Sequence, residues 1–307
     1  MPIKVQNNLP VKHILEKENV FVMDENSAIH QDIRPVEIAI LNIMPLKEDT
    51  ELALLRSLSN TLLQVNITLL TLISHQSIHT SASHLNTFYE AFPDIRRKCF
   101  DGLIITGAPV ELLEYEEVDY WNEICEIMDW SRSHVTSTLF LCWGAQAALY
   151  HFYGIEKIVL SEKIFGIFPH KVMHRKIPLV RGFDDIFYAP HSRHTTVNEE
   201  KLRGQENIII LAESDRTGAY LCMERDGSRI YCMGHPEYDR MTLDTEYRRD
   251  RGKGLSVGIP TNYYPDNDVR KKPLLQWRGH ANALYSNWLN YYVYQNTPYE
   301  FNCITKD

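Results

Sequence analysis

The sequence predicts an α/β fold: a doubly wound, mostly parallel sheet flanked by helices, with elaborations at both ends. Short apolar runs at 36–44, 65–73, 101–109 and 136–142 have the β-branched character of strands buried on both faces. The segments after them carry apolar residues at helical spacing, and strand–helix alternation of this kind builds a parallel sheet. No internal repeat, low-complexity tract or linker interrupts the 307 residues. One catalytic domain over 35–300 is therefore expected, between an N-terminal extension (1–34) and a short tail (301–307).

Residues 1–34 are polar and mixed, and read as an irregular extension with a short helix near 11–18. "VEIAILNIM" is the first strand, stopped by Pro45. The next helix carries Leu52, Leu55 and Leu58 at helical spacing, with Thr50 in the N-cap role. "VNITLLTLI" and "DGLIITGAP" are further strands, the latter running into a loop at Gly107 and Pro109. A helix over 116–133 has Trp121, Ile124, Cys125 and Met128 on one face. "TSTLFLC" is the fourth strand, and the helix after it ends at Gly154. The second half is less regular, with strand-like pieces at 156–161, 170–174, 206–212, 218–224 and 228–234. Helix returns at 236–251 and 278–296. The aromatic residues Tyr285, Trp288 and Tyr292 read mainly as core.

The formal charge of -8 argues against a nucleic-acid surface. No apolar run nears the roughly 18–20 residues that cross a bilayer, so no membrane partner is expected. "MPIKVQNNLP" lacks the apolar core of a signal peptide, and a cytoplasmic address is the expectation. None of the six cysteines forms a C-x-x-C pair. No metal is expected: His170 and His174 have i, i+4 spacing, but "IFPHKVMH" looks extended and lacks the H-E-x-x-H glutamate. "HSRHTT" (191–196) suits a substrate or charge-pairing loop, and "RRDRGKG" (248–254) is not a P-loop.

The chemistry centres on "LFLCWGAQAALY" (139–150). Cys142 falls where a buried strand turns into a helix, the edge at which open α/β sheets place their sites. A helix N-terminus favours thiolate and can hold an oxyanion. Gly144 suits a sharp strand-to-helix turn. On placement alone, nucleophile and core cysteine remain open. "IYCMGHPEYDR" (230–240) tips the balance. His235 also follows a strand, and Glu237, across a proline-stiffened turn, is placed to orient its imidazole.

"LNIMPLKEDTE" (41–51), "ITGAPVE" (105–111), "CWGAQAAL" (142–149), "GHPEYDR" (234–240) and "WRGHANALYSNWLNYYVYQNTPY" (277–299) resemble the homoserine O-acyltransferases of methionine biosynthesis. These are built on the class I glutamine amidotransferase-like fold. The resemblance spans nearly the whole chain. It implies a ping-pong transfer in which Cys142 takes the acyl group from an acyl-CoA and L-homoserine, deprotonated by His235, carries it away. Glu237 orients His235. Arg249 is expected to hold the α-carboxylate of homoserine, with Ser192 and Lys163 lining the same pocket. Backbone N–H groups of Trp143 and of the 107–109 loop, at Ala108, would form the oxyanion hole. In this family the residue after "TGAPV" is glycine with succinyl donors and glutamate with acetyl donors. Glu111 therefore points to acetyl-CoA, because its carboxylate would repel a succinyl carboxylate. No permanently bound cofactor is expected, and the resemblance suggests a homodimer. The wider amidotransferase group usually has glycine two residues before the cysteine. Phe140 stands there, which argues against a plain glutaminase.

Overall fold

The computed structural model describes residues 3–6, 9–17, 22–24, 34–75 and 79–297. Its strands are β1 (Ile3–Val5), β2 (Val22–Asp24), β3 (Val36–Leu41), β4 (Val65–Thr71), β5 (Tyr89–Ala91), β6 (Phe100–Ile105), β7 (Val135–Leu141), β8 (Lys157–Val172), β9 (Ile186–Val197), β10 (Ile208–Ser214), β11 (Gly218–Glu224) and β12 (Arg229–Cys232). They form one sheet in the order β2-β1-β4-β3-β6-β7-β12-β11-β10-β8-β9, with β5 beside β4. Pairing is parallel from β2 through β12 and antiparallel from β12 to β9.

Alternate residues of the central strands feed opposite faces, as the period of two requires. Ile38, Ile40, Ile104 and Leu139 pack with Leu54, Leu55 and Leu58 of α2 (Lys47–Leu58) and with the C-terminal α9 (Arg278–Asn287). Ala39, Leu41, Leu103, Ile105 and Phe140 pack on the other face. There they meet α5 (Trp121–His134) and α6 (Trp143–Tyr153). The smaller helices are α1 (Val11–Lys17), α3 (Ala82–Phe88), α4 (Phe92–Ile95) and α7 (Glu199–Arg203). A third apolar cluster joins Phe165, Ile167, Tyr238, Tyr263 and Trp277 to Leu243 and Tyr247 of α8 (Thr242–Gly252), and fixes that helix over the sheet's end.

Four departures from the sequence reading have local causes. Part of the polar N-terminal stretch joins the sheet through β1 and β2. Helix α2 starts at Lys47, three residues before Thr50, whose hydroxyl donates back to the Leu46 carbonyl from inside the first turn. The pieces at 156–161 and 170–174 are the two ends of the 16-residue β8. The 278–296 helix changes after Asn287 into a π-helix, Trp288–Tyr294, that seats Trp288 against the sheet. Tyr285, Trp288 and Tyr292 are buried within the chain. No helix among the described residues is long and apolar enough to cross a membrane.

Candidate active site

A cavity of about 350 Å³ opens at the carboxyl ends of β3, β6, β7 and β12. Met44 and Pro45 follow β3, Ala108 through Leu113 follow β6, Cys142 follows β7, and His235 and Tyr238 follow β12. Lys163 comes from β8, Ser192 and His194 from β9, and Glu246, Arg249 and Asp250 from α8.

Cys142 is held in a backbone conformation that L-residues avoid, with φ 48° and ψ -114°. Such strain costs on the order of 1–3 kcal/mol and persists only where its surroundings impose it. Here the Cys142 N–H donates to the Cys232 carbonyl at 2.7 Å, and its carbonyl accepts from Ala145 and Gln146 in the first turn of α6. Gly144 makes the turn feasible, because a Cβ there would lie 2.6 Å from the Thr106 carbonyl oxygen. As the first residue of α6, Trp143 has an N–H that no carbonyl of its own helix reaches.

His235 is 3% exposed and hydrogen-bonds to Cys142. Its Nδ1–H donates to Glu237 Oε1 at 2.8 Å, which leaves Nε2 for the sulfur. The ring stacks on Tyr238, with centroids 4.1 Å apart. Its backbone N–H donates to the Pro190 carbonyl at 2.9 Å, tying the loop to β9. Burial works against a charged imidazole. The Cys142 thiolate and the Glu237 carboxylate override it and hold the pKa of His235 well above the ordinary histidine value.

Gly107 faces both groups. A Cβ there would sit 3.2 Å from Cys142 Cβ, 3.6 Å from His235 Cε1 and 3.6 Å from the Trp143 backbone nitrogen. Glycine thus keeps open the space between the sulfur, the imidazole and that N–H. Gly107→Ala is expected to fold normally yet lose about tenfold or more in kcat/KM, since small misplacements of reacting groups cost that much. Steady-state kinetics beside a thermal melt checks this.

The far wall is charged. Glu246 accepts from Tyr238 OH at 2.8 Å and from Ser192 Oγ at 2.5 Å. Lys163 Nζ lies 3.9 Å from Glu246 and 3.5 Å from Asp250. The Arg249 guanidinium approaches Asp250 Oδ1 through Nε and Nη2, both at 2.8 Å, and its side chain is 48% exposed. Glu111 accepts the His194 N–H at 3.2 Å from the opposite rim.

The cavity thus gathers Cys142, His235, Ala108, Glu111, Lys163, Ser192 and Arg249. Glu237 stands behind His235 and Trp143 is buried beneath the turn, so neither side chain lines it. The sequence reading missed Glu246, Asp250 and Tyr238. A signal existed for the two acids: Glu246, Arg249 and Asp250 share a helix face by their i, i+3 and i, i+4 spacing. Phe140 points away from the site and stacks on Tyr231 in the core.

A mostly parallel sheet carrying a cysteine on a strained strand-to-helix turn, with a histidine beyond a neighbouring strand, defines a protein of the class I glutamine amidotransferase-like fold. A glutamine amidotransferase from Thermotoga maritima superposes with a TM-score of 0.55 at 10% identity, covering 84% of this chain and 98% of its own. One from Methylobacillus flagellatus does so at 0.52 and 12%, covering 84% and 95%. Within that fold, the profile of the homoserine O-succinyltransferase family matches residues 2–299, and the chain belongs to this family of acyltransferases. A relative from Agathobacter rectalis named homoserine O-acetyltransferase is 67% identical over 301 residues, 98% of this chain and 97% of its own. Another of that name, from Lachnoclostridium phytofermentans, is 63% identical over 300 residues, 98% and 100% of the two chains.

Proposed function

We propose that this protein transfers an acetyl group from acetyl-CoA to the hydroxyl of L-homoserine, giving O-acetyl-L-homoserine for methionine biosynthesis. The observation that carries the reading is the Cys142–His235–Glu237 chain of contacts at the floor of a cavity whose wall pairs cations with carboxylates.

His235, its pKa held well above the ordinary histidine value, carries the proton that the leaving group will need, and the attacking species is the Cys142 thiolate. The thiolate attacks the thioester carbonyl, and the oxyanion faces the Trp143 and Ala108 N–H groups. The intermediate collapses with loss of the CoA sulfur, which takes the proton from His235. Cys142 is now an uncharged thioester, so the thiolate that held up the histidine pKa is gone. Burial then favours neutral imidazole. Neutral His235 takes the proton of the homoserine hydroxyl as the oxygen attacks the acyl-enzyme. Cys142 leaves as thiolate, and the proton remaining on His235 restores the original pair. The charge on one sulfur thus switches the histidine from acid to base.

Homoserine is a zwitterion, and the α8 wall is its complement. Arg249 and Lys163 suit the carboxylate, and Glu246 suits the ammonium group. Glu111, fixed by the His194 N–H, faces the acyl end. A succinyl group would bring a second carboxylate against it. This favours acetyl-CoA over succinyl-CoA, and the names of the relatives agree.

Two measurements test the reading. Mixed with acetyl-CoA alone, the protein gains one acetyl group by intact mass, and Cys142→Ser does not. With homoserine present, kcat/KM for acetyl-CoA exceeds that for succinyl-CoA, and Glu111→Gly moves the ratio at least about tenfold toward succinyl-CoA. A wild-type preference for succinyl-CoA refutes the donor assignment, and an unchanged ratio in Glu111→Gly puts selectivity elsewhere.

A further inference from the structure

Arg193 is 1% exposed, in the interior of β9. No carboxylate among the described residues contacts its guanidinium. Nε donates to His191 Nδ1 at 3.3 Å, Nη1 to the Thr195 carbonyl at 2.7 Å and Nη2 to the Thr217 carbonyl at 2.6 Å. Its contacts are therefore neutral dipoles, an expensive setting for a cation.

The neighbouring histidines supply no anion. Arginine only donates, so His191 Nδ1 must accept, and the proton of His191 lies on Nε2. That proton is directed at His170 Nε2, 3.1 Å away. Burial and the charge of Arg193 hold His191 well below its usual pKa, and burial pushes His170 down to about 3. Both rings are neutral at ordinary pH, while Arg193, lowered by burial to about 10, remains charged.

Arg193 is fastened to the nucleophile's helix. The Thr195 carbonyl that accepts from Nη1 also accepts from Gln146 Nε2 at 3.4 Å. Thr195 Oγ1 donates to Gln146 Oε1 at 2.8 Å, and the Gln146 N–H donates to the Cys142 carbonyl at 3.2 Å. Gln146 is the last residue of the C-x-G-x-Q motif, and the transfer chemistry leaves it no other task. The negative groups that act on Arg193 are the Cys142 thiolate first, then Glu199 and Glu111.

We propose that Arg193 is a positioning residue for acyl transfer: its buried charge, linked through Thr195 and Gln146 to the first turn of α6, keeps the sulfur of Cys142 as thiolate. The inference rests on Cys142 being the acyl carrier. The other charged groups facing the site come from four elements. His235 and Glu237 lie on the loop after β12, Glu111 follows β6, Lys163 is on β8, and Glu246, Arg249 and Asp250 are on α8. Their acids oppose a negative sulfur, and His235 loses its charge during turnover. Arg193 has no proton acceptor of comparable strength beside it and stays charged through both half-reactions. It therefore also favours sulfur as the leaving group when homoserine attacks.

The test is alkylation of Cys142 by iodoacetamide at pH 7 without substrate, followed on the Cys142 peptide by mass spectrometry. Arg193→Gln is expected to react about tenfold or more slowly than wild type, and Arg193→Lys within about threefold of it, since one unit of thiol acidity is a factor of ten in thiolate. Equal rates in all three proteins overturn the proposal. So does Arg193→Lys as slow as Arg193→Gln, which would make hydrogen-bond geometry, not charge, the cause. If Arg193→Gln does not fold, His235→Ala carries the test with Arg193 in place. Its Cys142 is then expected to react faster than N-acetylcysteine at pH 7, and a slower reaction refutes the idea. Alkylation needs no acyl donor, so this result is separate from the acetyl-adduct experiment.

Discussion

Cys142→Ser lowers kcat/KM for acetyl transfer by at least about 10³-fold while the fold remains intact. The substitution changes one atom, so packing around the turn is kept. The nucleophilic species is lost. A serine hydroxyl stays protonated where a thiol ionises, and His235 would have to remove its proton during attack. The electrostatics change too. Without a thiolate, the first influence raising the pKa of His235 disappears, and burial takes the imidazole toward neutral. The serine variant is therefore expected to have a lower His235 pKa than the wild type, since only Glu237 still raises it. This is measurable by NMR of the His235 ring as well as by kinetics. Retention of more than about a tenth of wild-type activity would remove Cys142 from the reaction.

His235→Asn lowers kcat by about 10²–10⁴-fold, the usual contribution of a positioned acid or base. Asparagine can keep the contact to Glu237 but cannot shuttle a proton. The loss falls on both half-reactions, so acetyl-enzyme formation slows along with turnover. A variant defective only in transfer to homoserine would limit His235 to the second step. Stability carries a second signature. The folded pKa of His235 lies above its unfolded value near 6.5, so its stabilising contribution is complete below about pH 6.5. The contribution declines as pH rises through the folded value. The melting-temperature gap between wild type and His235→Asn is therefore widest below about pH 6.5 and narrows toward alkaline pH.

The parallel half of the sheet was legible in the sequence because its strands are buried on both faces and read as plain apolar runs. β3, β4, β6 and β7 fall within a residue or so of the expected positions, apart from strand ends that run on into the site loops. β9 was missed for a physical reason. Its inward residues include His191, Arg193 and Thr195, and its outward ones Ser192 and His194, so hydropathy gives no alternation to find. β8 was split in two because its first part is exposed, and its pairing with β9 shifts register between Val159 and Ile164. Cys142 and His235 stood out because each follows an apolar strand and begins a turn. Lys163, Ser192, Arg249 and Glu111 were reached only through the resemblance, as isolated polar residues in polar segments. Glu246 and Asp250 came from neither, because acids on an exposed helix face ordinarily mean solvation, and only the fold turns that face toward the cysteine.

The seat of Trp288 bears on how the molecule is made. Its indole N–H donates to Ser137 Oγ at 3.1 Å across a sequence separation of 151 residues. The ring occupies space that a side chain at Gly102 would fill, since a Cβ there would lie 3.0 Å from it. Strands β6 and β7 therefore present an unfilled hollow on one face until the ribosome has delivered Trp288. At about 5–20 residues per second, the nascent sheet waits on the order of ten seconds or more after β7 is synthesised. Through that interval the strand that leads into Cys142 is present but unsupported from behind. The turn that carries Cys142 thus matures late in synthesis, when the aromatic segment around Trp288 closes over the back of the sheet.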